Sequence, residues 1–99
     1  MPSDIKTFYM NSLYDHYGEL LTEKQREYFE DYYFKNYSLS EISENKDVSR
    51  NAIHKVIKEA EKKLREFEKV LKNYERSNKI KRIIEDIDEE TRKKIEELL

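Results

Sequence analysis

Between Ile53 and Tyr74 the apolar residues recur at intervals of four and three: Ile53, Ile57, Ala60, Leu64, Phe67, Leu71 and Tyr74. Held over three repeats, this spacing is the heptad seam of an α-helix, and Val56 and Val70 widen it. With one Gly and one Pro in 99 residues, the chain has little turn chemistry for an all-β fold. Charged residues make up 42% of it, many of them Glu, Lys and Arg in helical register, which indicates an all-α protein with a long C-terminal helix. At about 1.5 Å per residue that helix projects beyond any three-helix core a chain this size can build. Its distal seam, Leu64, Phe67, Leu71 and Tyr74, therefore needs a partner. The candidates are the chain's own C-terminal segment, a second copy in a homodimer, or another protein.

Shorter helices precede it. Ile5, Phe8, Tyr9, Leu13 and Tyr17 lie at helical spacing over residues 4–17, with Ser3 and Asp4 as candidate caps and Gly18 as the stop. Thr22 opens the next helix, with Gln25 three residues on completing a capping box. Tyr28, Phe29, Tyr32 and Tyr33 form its expected inner stripe. Seven of the eight tyrosines lie before residue 38. Aromatics in such numbers could stack on bases, but their i, i+3, i+4 spacing on adjacent amphipathic helices assigns them to a core. Ser38 and Glu41 form a second capping box, with Leu39 and Ile42 facing inward and a stop near Asn45–Asp47. Ser49 then caps the long helix. Past it, "NYERSNKI" interrupts the seam, because Asn78 and Lys81 fall at apolar positions. Ile80, Ile83, Ile84 and Ile87 restart a pattern, and Asp88 can cap a last helix ending in Ile95, Leu98 and Leu99. The expected organisation is a helical domain over residues 1–64, followed in the same single domain by residues 65–99, the continuation of the long helix and a C-terminal helical segment.

Residues 38–64 have the anatomy of a helix-turn-helix: a short supporting helix, a tight turn, and a second helix whose N-terminal residues can meet base edges. Leu39, Ile42 and Val48 are inward positions around the turn, and Ala52, Ile53, Val56 and Ile57 are the inner face of the second helix. Arg50, Asn51, His54, Lys55, Lys58 and Lys62 are left pointing outward. Arg can bind guanine and Asn adenine with two hydrogen bonds each, and Lys neutralises phosphate. Ser38, Ser40 and Ser49 sit at helix N-termini, where they could join a phosphate contact, though capping alone accounts for them. At the turn, where Gly is common, the chain has Asp47, a residue that tolerates positive φ better than most. Lys46 stands where an apolar residue would help pack the first helix.

The net charge of −2 excludes a general polyanion binder, but the charge is unevenly placed. Residues 50–65 carry Arg50, Lys55, Lys58, Lys62, Lys63 and Arg65 against Glu59 and Glu61. A second basic run, Lys69, Lys72, Arg76, Lys79, Lys81 and Arg82, is opposed only by Glu75. It could bind RNA backbone or be the solvated flank of a coiled coil. The absence of Cys excludes disulfides and thiolate zinc sites. No apolar run approaches a membrane span, so a soluble cytoplasmic protein without membrane contact is expected. His16 and His54 lie on different helices without a metal-ligand spacing, Glu89–Glu90 and Glu96–Glu97 are solvated pairs, and Gly18 alone makes no phosphate loop. Neither an enzyme, a metal nor a cofactor is expected.

The runs "LTEKQREYFEDYYFKNYSLSEIS", "VSRNAI" and "EKKLREFEKVL", with "YDHYGELLTEKQ" ahead of them, resemble the YlxM-like family of small bacterial helix-turn-helix proteins over roughly residues 9–74. More distantly, the same core is similar to the DNA-binding region 4 of bacterial sigma factors. These likenesses imply a wingless three- or four-helix core, and that to the YlxM-like family also implies a dimer-prone long helix, a regulatory role and a link to the signal recognition particle pathway. The chain departs from the family pattern at Lys46 and Asp47, and at His54 and Lys55, where an aromatic and an acidic residue are common. Two functions compete. One is a dimeric regulator that binds duplex DNA through Ser49, Arg50, Asn51, His54, Lys55, Lys58 and Lys62. The other is an interaction module that acts on the protein or RNA of the signal recognition particle through the long helix.

Overall fold

The computed structural model describes residues 4–99, which form six α-helices and, among the described residues, no strand. α1, Asp4–Tyr17, passes through a 3-10 turn, Gly18–Leu20, into α2, Glu23–Tyr33. α3 is Leu39–Lys46, α4 Arg50–Leu71, α5 Asn73–Ile83 and α6 Glu89–Glu96. The cap expected at Ser3 lies outside the described residues, as does the side chain of Asp4.

α4 is the axis against which α1, α2 and α3 pack. Its seam from Ile53 through Leu64 is buried among Met10, Leu13 and Tyr17 of α1, Tyr28, Phe29 and Tyr33 of α2, and Ile42 of α3. Tyr28, Phe29, Tyr32 and Tyr33 of α2 lie in the core or pack against it, as their spacing indicates, together with Tyr14 and Tyr17 of α1. Phe29 stacks against Tyr14 at 4.8 Å and Tyr33 at 4.4 Å between ring centroids. Both predicted capping boxes form, Thr22 with Gln25 and Ser38 with Glu41.

α1 turns a different face inward from the one its apolar residues suggest. Ile5 and Phe8 are exposed and Tyr9 partly so, whereas Met10, Leu13 and Tyr17 are buried. The inward row is Lys6, Met10, Leu13, Tyr17, and its first member is a lysine whose ammonium lies 3.4 Å from the buried Glu61 on α4. A charged residue in the inward row disguises the row from hydropathy.

The continuous helix expected through Tyr74 is broken. α4 ends at Leu71, and Lys72 adopts the left-handed conformation, φ 54° and ψ 30°. Such a conformation costs a lysine roughly 1–2 kcal/mol, and the first N–H groups of α5 need acceptors that α5 itself does not supply. Residues from two other helices supply them. The Glu68 carboxylate accepts from the backbone N–H of Tyr74 (3.1 Å) and Glu75 (3.0 Å). The Tyr17 hydroxyl accepts from Asn73 N–H (2.9 Å) while donating to Glu68 (2.6 Å). Three charge-assisted or buried hydrogen bonds of this kind offset the left-handed lysine. Beyond the break α5 leans on α1, with the Tyr74 ring 6.0 Å from Tyr9 and 5.9 Å from His16.

α6 buries none of its residues and is capped by Asp88, which accepts from Thr91 N–H at 2.9 Å. It ends at Glu96, short of the terminal leucines. The radius of gyration is 16.3 Å, against about 13 Å for a compact domain of this length. The 52 Å long axis of the molecule reflects the length of α4 and the outlying C-terminal helices.

Candidate nucleic-acid interface

α3 and α4 meet at a turn of three residues, Asp47–Ser49. Asp47 takes the left-handed conformation at φ 54° and ψ 45°, with its N–H on Ser43 O, so aspartate fills the place that glycine commonly takes. Val48 N–H also reaches Ser43 O, at 3.2 Å. Ser49 caps α4 by accepting from Ala52 N–H at 3.2 Å. Lys46, standing where packing would favour an apolar side chain, forms ion pairs with Glu27 and with Asp31, the latter at 3.7 Å. Asp31 is 4% exposed and is shared with Lys35 at 3.2 Å. The first helix of the motif is therefore held to α2 by charge at the position where packing would ordinarily do it.

The outward residues gather where the motif requires. Ser49, Arg50, Asn51 and His54, with Leu39 of α3, line an open cleft of about 560 Å³ at the junction of the two helix N-termini. Lys55, Lys58 and Lys62 continue along the exposed side of α4. Arg50, Lys55 and Lys62 form no ion pair among the described residues; by contrast, all three cations of α6 are paired. Lys58 differs from its neighbours, because its ammonium lies 3.4 Å from Glu61.

In the sequence Glu61 shows only as a counter-charge to the basic helix, yet it is 2% exposed. It accepts from the Tyr33 hydroxyl at 2.6 Å and faces the ammonium groups of Lys6 and Lys58. Burial alone would push its carboxyl up, but the Tyr33 hydroxyl and the two lysines reverse this and hold it below the usual carboxylate range. Tyr33 is pushed up in turn, by burial and then by Glu61. The sequence signal for Glu61 is slight: it follows Ala60 and precedes Leu64 by three, at the edge of the seam.

The distal seam divides. Leu64 is fully buried and Phe67 packs on the core, Tyr74 rests against α1, and Leu71 is 43% exposed beside the exposed Val70. His16, on α1, turns its ring toward α5, with Nδ1 3.0 Å from Ser12 O and Nε2 3.4 Å from Ser77 Oγ, and is not part of the α3–α4 cleft with His54. Among the described residues no helix is long and apolar enough to cross a membrane.

A short capped helix, a left-handed turn and a second helix seated on a three-helix core define a helix-turn-helix protein. The chain belongs to the UPF0122 family, described as "Putative helix-turn-helix protein, YlxM / p13 like", whose family model matches residues 5–99. It is 54% identical over 63 residues to the UPF0122 protein of Thermoanaerobacter sp. (strain X514), a match covering 64% of this chain and 54% of that protein. The UPF0122 protein of Caldanaerobacter subterraneus subsp. tengcongensis is 48% identical over 81 residues, covering 78% and 69%. That of Geobacillus sp. (strain WCH70) is 46% identical over 79 residues, covering 80% and 72%. The matched part of the chain thus spans about half the length of the Thermoanaerobacter relative.

Proposed function

We propose that the chain is a regulatory protein that binds duplex DNA through the helix-turn-helix. In this reading Arg50, Asn51, His54 and Lys55 at the start of α4 meet base edges in the major groove, while Ser49, Lys58 and Lys62 hold the flanking phosphates. The observation that carries it is the outward side of α4, where Arg50, Lys55 and Lys62 stand exposed without carboxylate partners beside the cleft at Asn51 and His54. Lys58 would have to exchange Glu61 for phosphate. The cytoplasmic setting is carried over from the sequence, and the link to the signal recognition particle pathway from the family resemblance. A homodimer could use the exposed end of the seam, Val70 and Leu71, because Leu64 and Phe67 are occupied within the chain.

The test is a titration of labelled duplex DNA at low and moderate salt. Replacing Arg50, Lys55 and Lys62 by Ala should lower the salt slope by about 0.9 for each phosphate no longer neutralised. Asn51→Ala should relax sequence preference by roughly 1–3 kcal/mol at one base pair. Unchanged affinity and slope in the triple variant would refute the proposal. The second reading, a module that engages the signal recognition particle through α4 and α5, draws on the exposed Val70 and Leu71 beside the helix break and Ile83 at the far end of α5. It predicts association with the purified particle that survives the Arg50, Lys55, Lys62 changes and is abolished in a Val70→Asp, Leu71→Asp variant.

A further inference from the structure

We infer that the elbow between α4 and α5 is a second site, one that takes single-stranded nucleic acid and is separate from the α3–α4 surface. The break at Lys72 folds two basic segments around one cleft of about 590 Å³. Arg65, Lys69 and Lys72 line it from the α4 side, Lys79 and Arg82 from α5, and Tyr9 from α1. Two carboxylates also border the cleft, but both are engaged. Glu68 holds the Tyr17 hydroxyl and two N–H groups of α5, and Glu75 pairs with Lys79 at 3.2 Å. Arg65, Lys69, Lys72 and Arg82 form no ion pair among the described residues, so the cleft is net positive and, of its cations, Lys79 is the one that is ion-paired.

The shape of this charge selects the ligand. On α4 the cations Lys55, Lys58, Lys62, Arg65 and Lys69 recur every three or four residues on the side opposite the seam. That is one charge about every 5 Å along a straight line that ends in the elbow. Glu59 and Glu66 border the line without pairing with it. A helix reading a major groove uses its first turns, whereas this row continues to the far end of α4. The cleft it reaches is far smaller than a duplex, whose major groove alone is about 12 Å wide. It suits one or two nucleotide units of a strand whose backbone follows the distal end of the row, Arg65 and Lys69. Tyr9, 37% exposed and fixed edge-on against Tyr74 at 6.0 Å, is a rigid aromatic surface on which a base can stack.

The experiment uses the full chain and labelled oligothymidylate and oligouridylate of about twelve nucleotides, with a labelled duplex alongside and inorganic polyphosphate as competitor. An Arg65→Gln, Lys69→Gln, Arg82→Gln variant should weaken single-strand binding at least about tenfold and lower its salt slope by roughly two, at about 0.7 per phosphate. Tyr9→Leu should weaken the same binding about fivefold or more with an unchanged slope. Neither variant should alter duplex binding, and an Arg50→Ala, Asn51→Ala variant should leave single-strand binding intact whether or not the duplex is bound. Oligothymidylate and oligouridylate binding alike fits a site that recognises backbone and base face. Wild-type single-strand binding by both elbow variants would overturn the inference. So would polyphosphate competing as well as the oligonucleotides with no effect of Tyr9→Leu, which would reduce the elbow to a patch of charge.

Discussion

Replacing Glu61 tests the electrostatic centre of the fold. In Glu61→Ala the Tyr33 hydroxyl, which is buried, loses its acceptor, at about 1–3 kcal/mol for an unsatisfied buried donor. Lys6 and Lys58 lose a carboxylate at 3.4 Å each. Their side chains are 35% and 52% exposed and can return to water, so each pair adds only the roughly 0–1 kcal/mol of a solvated ion pair. The total is about 1–5 kcal/mol, its upper end matching that of a buried pair stripped of one partner. Glu61→Gln keeps an acceptor for Tyr33 and loses charge assistance and the two ion pairs, so it should cost about 1–2 kcal/mol. In a Tyr33→Phe background most of the difference between the two variants should vanish, because the orphaned hydroxyl is gone. The assay is urea denaturation at neutral pH followed by far-ultraviolet circular dichroism. Equal losses for Ala and Gln, or a difference that persists without the Tyr33 hydroxyl, would refute the account.

Four further outcomes follow from the same geometry. The Glu61 carboxyl titrates lower in the folded chain than in the unfolded one, so its stabilisation is present above the unfolded value of about 4.3 and is lost as pH falls through the folded value; denaturation midpoints below about pH 4.3 should fall less steeply in Glu61→Gln. Gly18→Ala places a methyl group 2.9 Å from the Tyr14 ring, which is stacked on Phe29 and cannot readily move; it should cost about 1–3 kcal/mol by overpacking, read as a lowered thermal midpoint. Lys72→Gly relieves the left-handed backbone and should be neutral or stabilising by up to about 1 kcal/mol, whereas Glu68→Ala removes the borrowed cap of α5 and should cost about 1–2 kcal/mol, with loss of helical signal from residues 73–83 by amide exchange.

The motif itself is legible because its signals are local. Thr22–Gln25 and Ser38–Glu41 are capping boxes three residues apart, Ser49 precedes its helix directly, and Asp47 is one of the few residues suited to a left-handed turn. The outward row of α4 follows from the same helical period as the seam. What stays hidden depends on partners distant in sequence. Lys6 faces inward only because Glu61, fifty-five residues later, lies buried opposite it. Lys46 can replace an apolar residue only because Asp31 and Glu27 on α2 receive it. The end of α4 has the most non-local cause. The heptad spacing runs straight through Lys72 to Tyr74, and the break depends on Tyr17 reaching across from α1 to meet Glu68 and Asn73.

That borrowed cap also orders the events of folding. α5 is a short segment of mostly polar residues, with too few turns to persist alone in water. Two of its first N–H groups are met by Glu68, which α4 carries within a few residues, but the third is met by Tyr17, separated from Asn73 by 56 residues. Closing that separation requires α1 to have docked on α4 already, an assembly that forms the main core. The α4–α5 elbow should therefore form after the main core during folding and open before it. Its opening would leave the α3–α4 motif folded, so the two ends of α4 can gain and lose order independently.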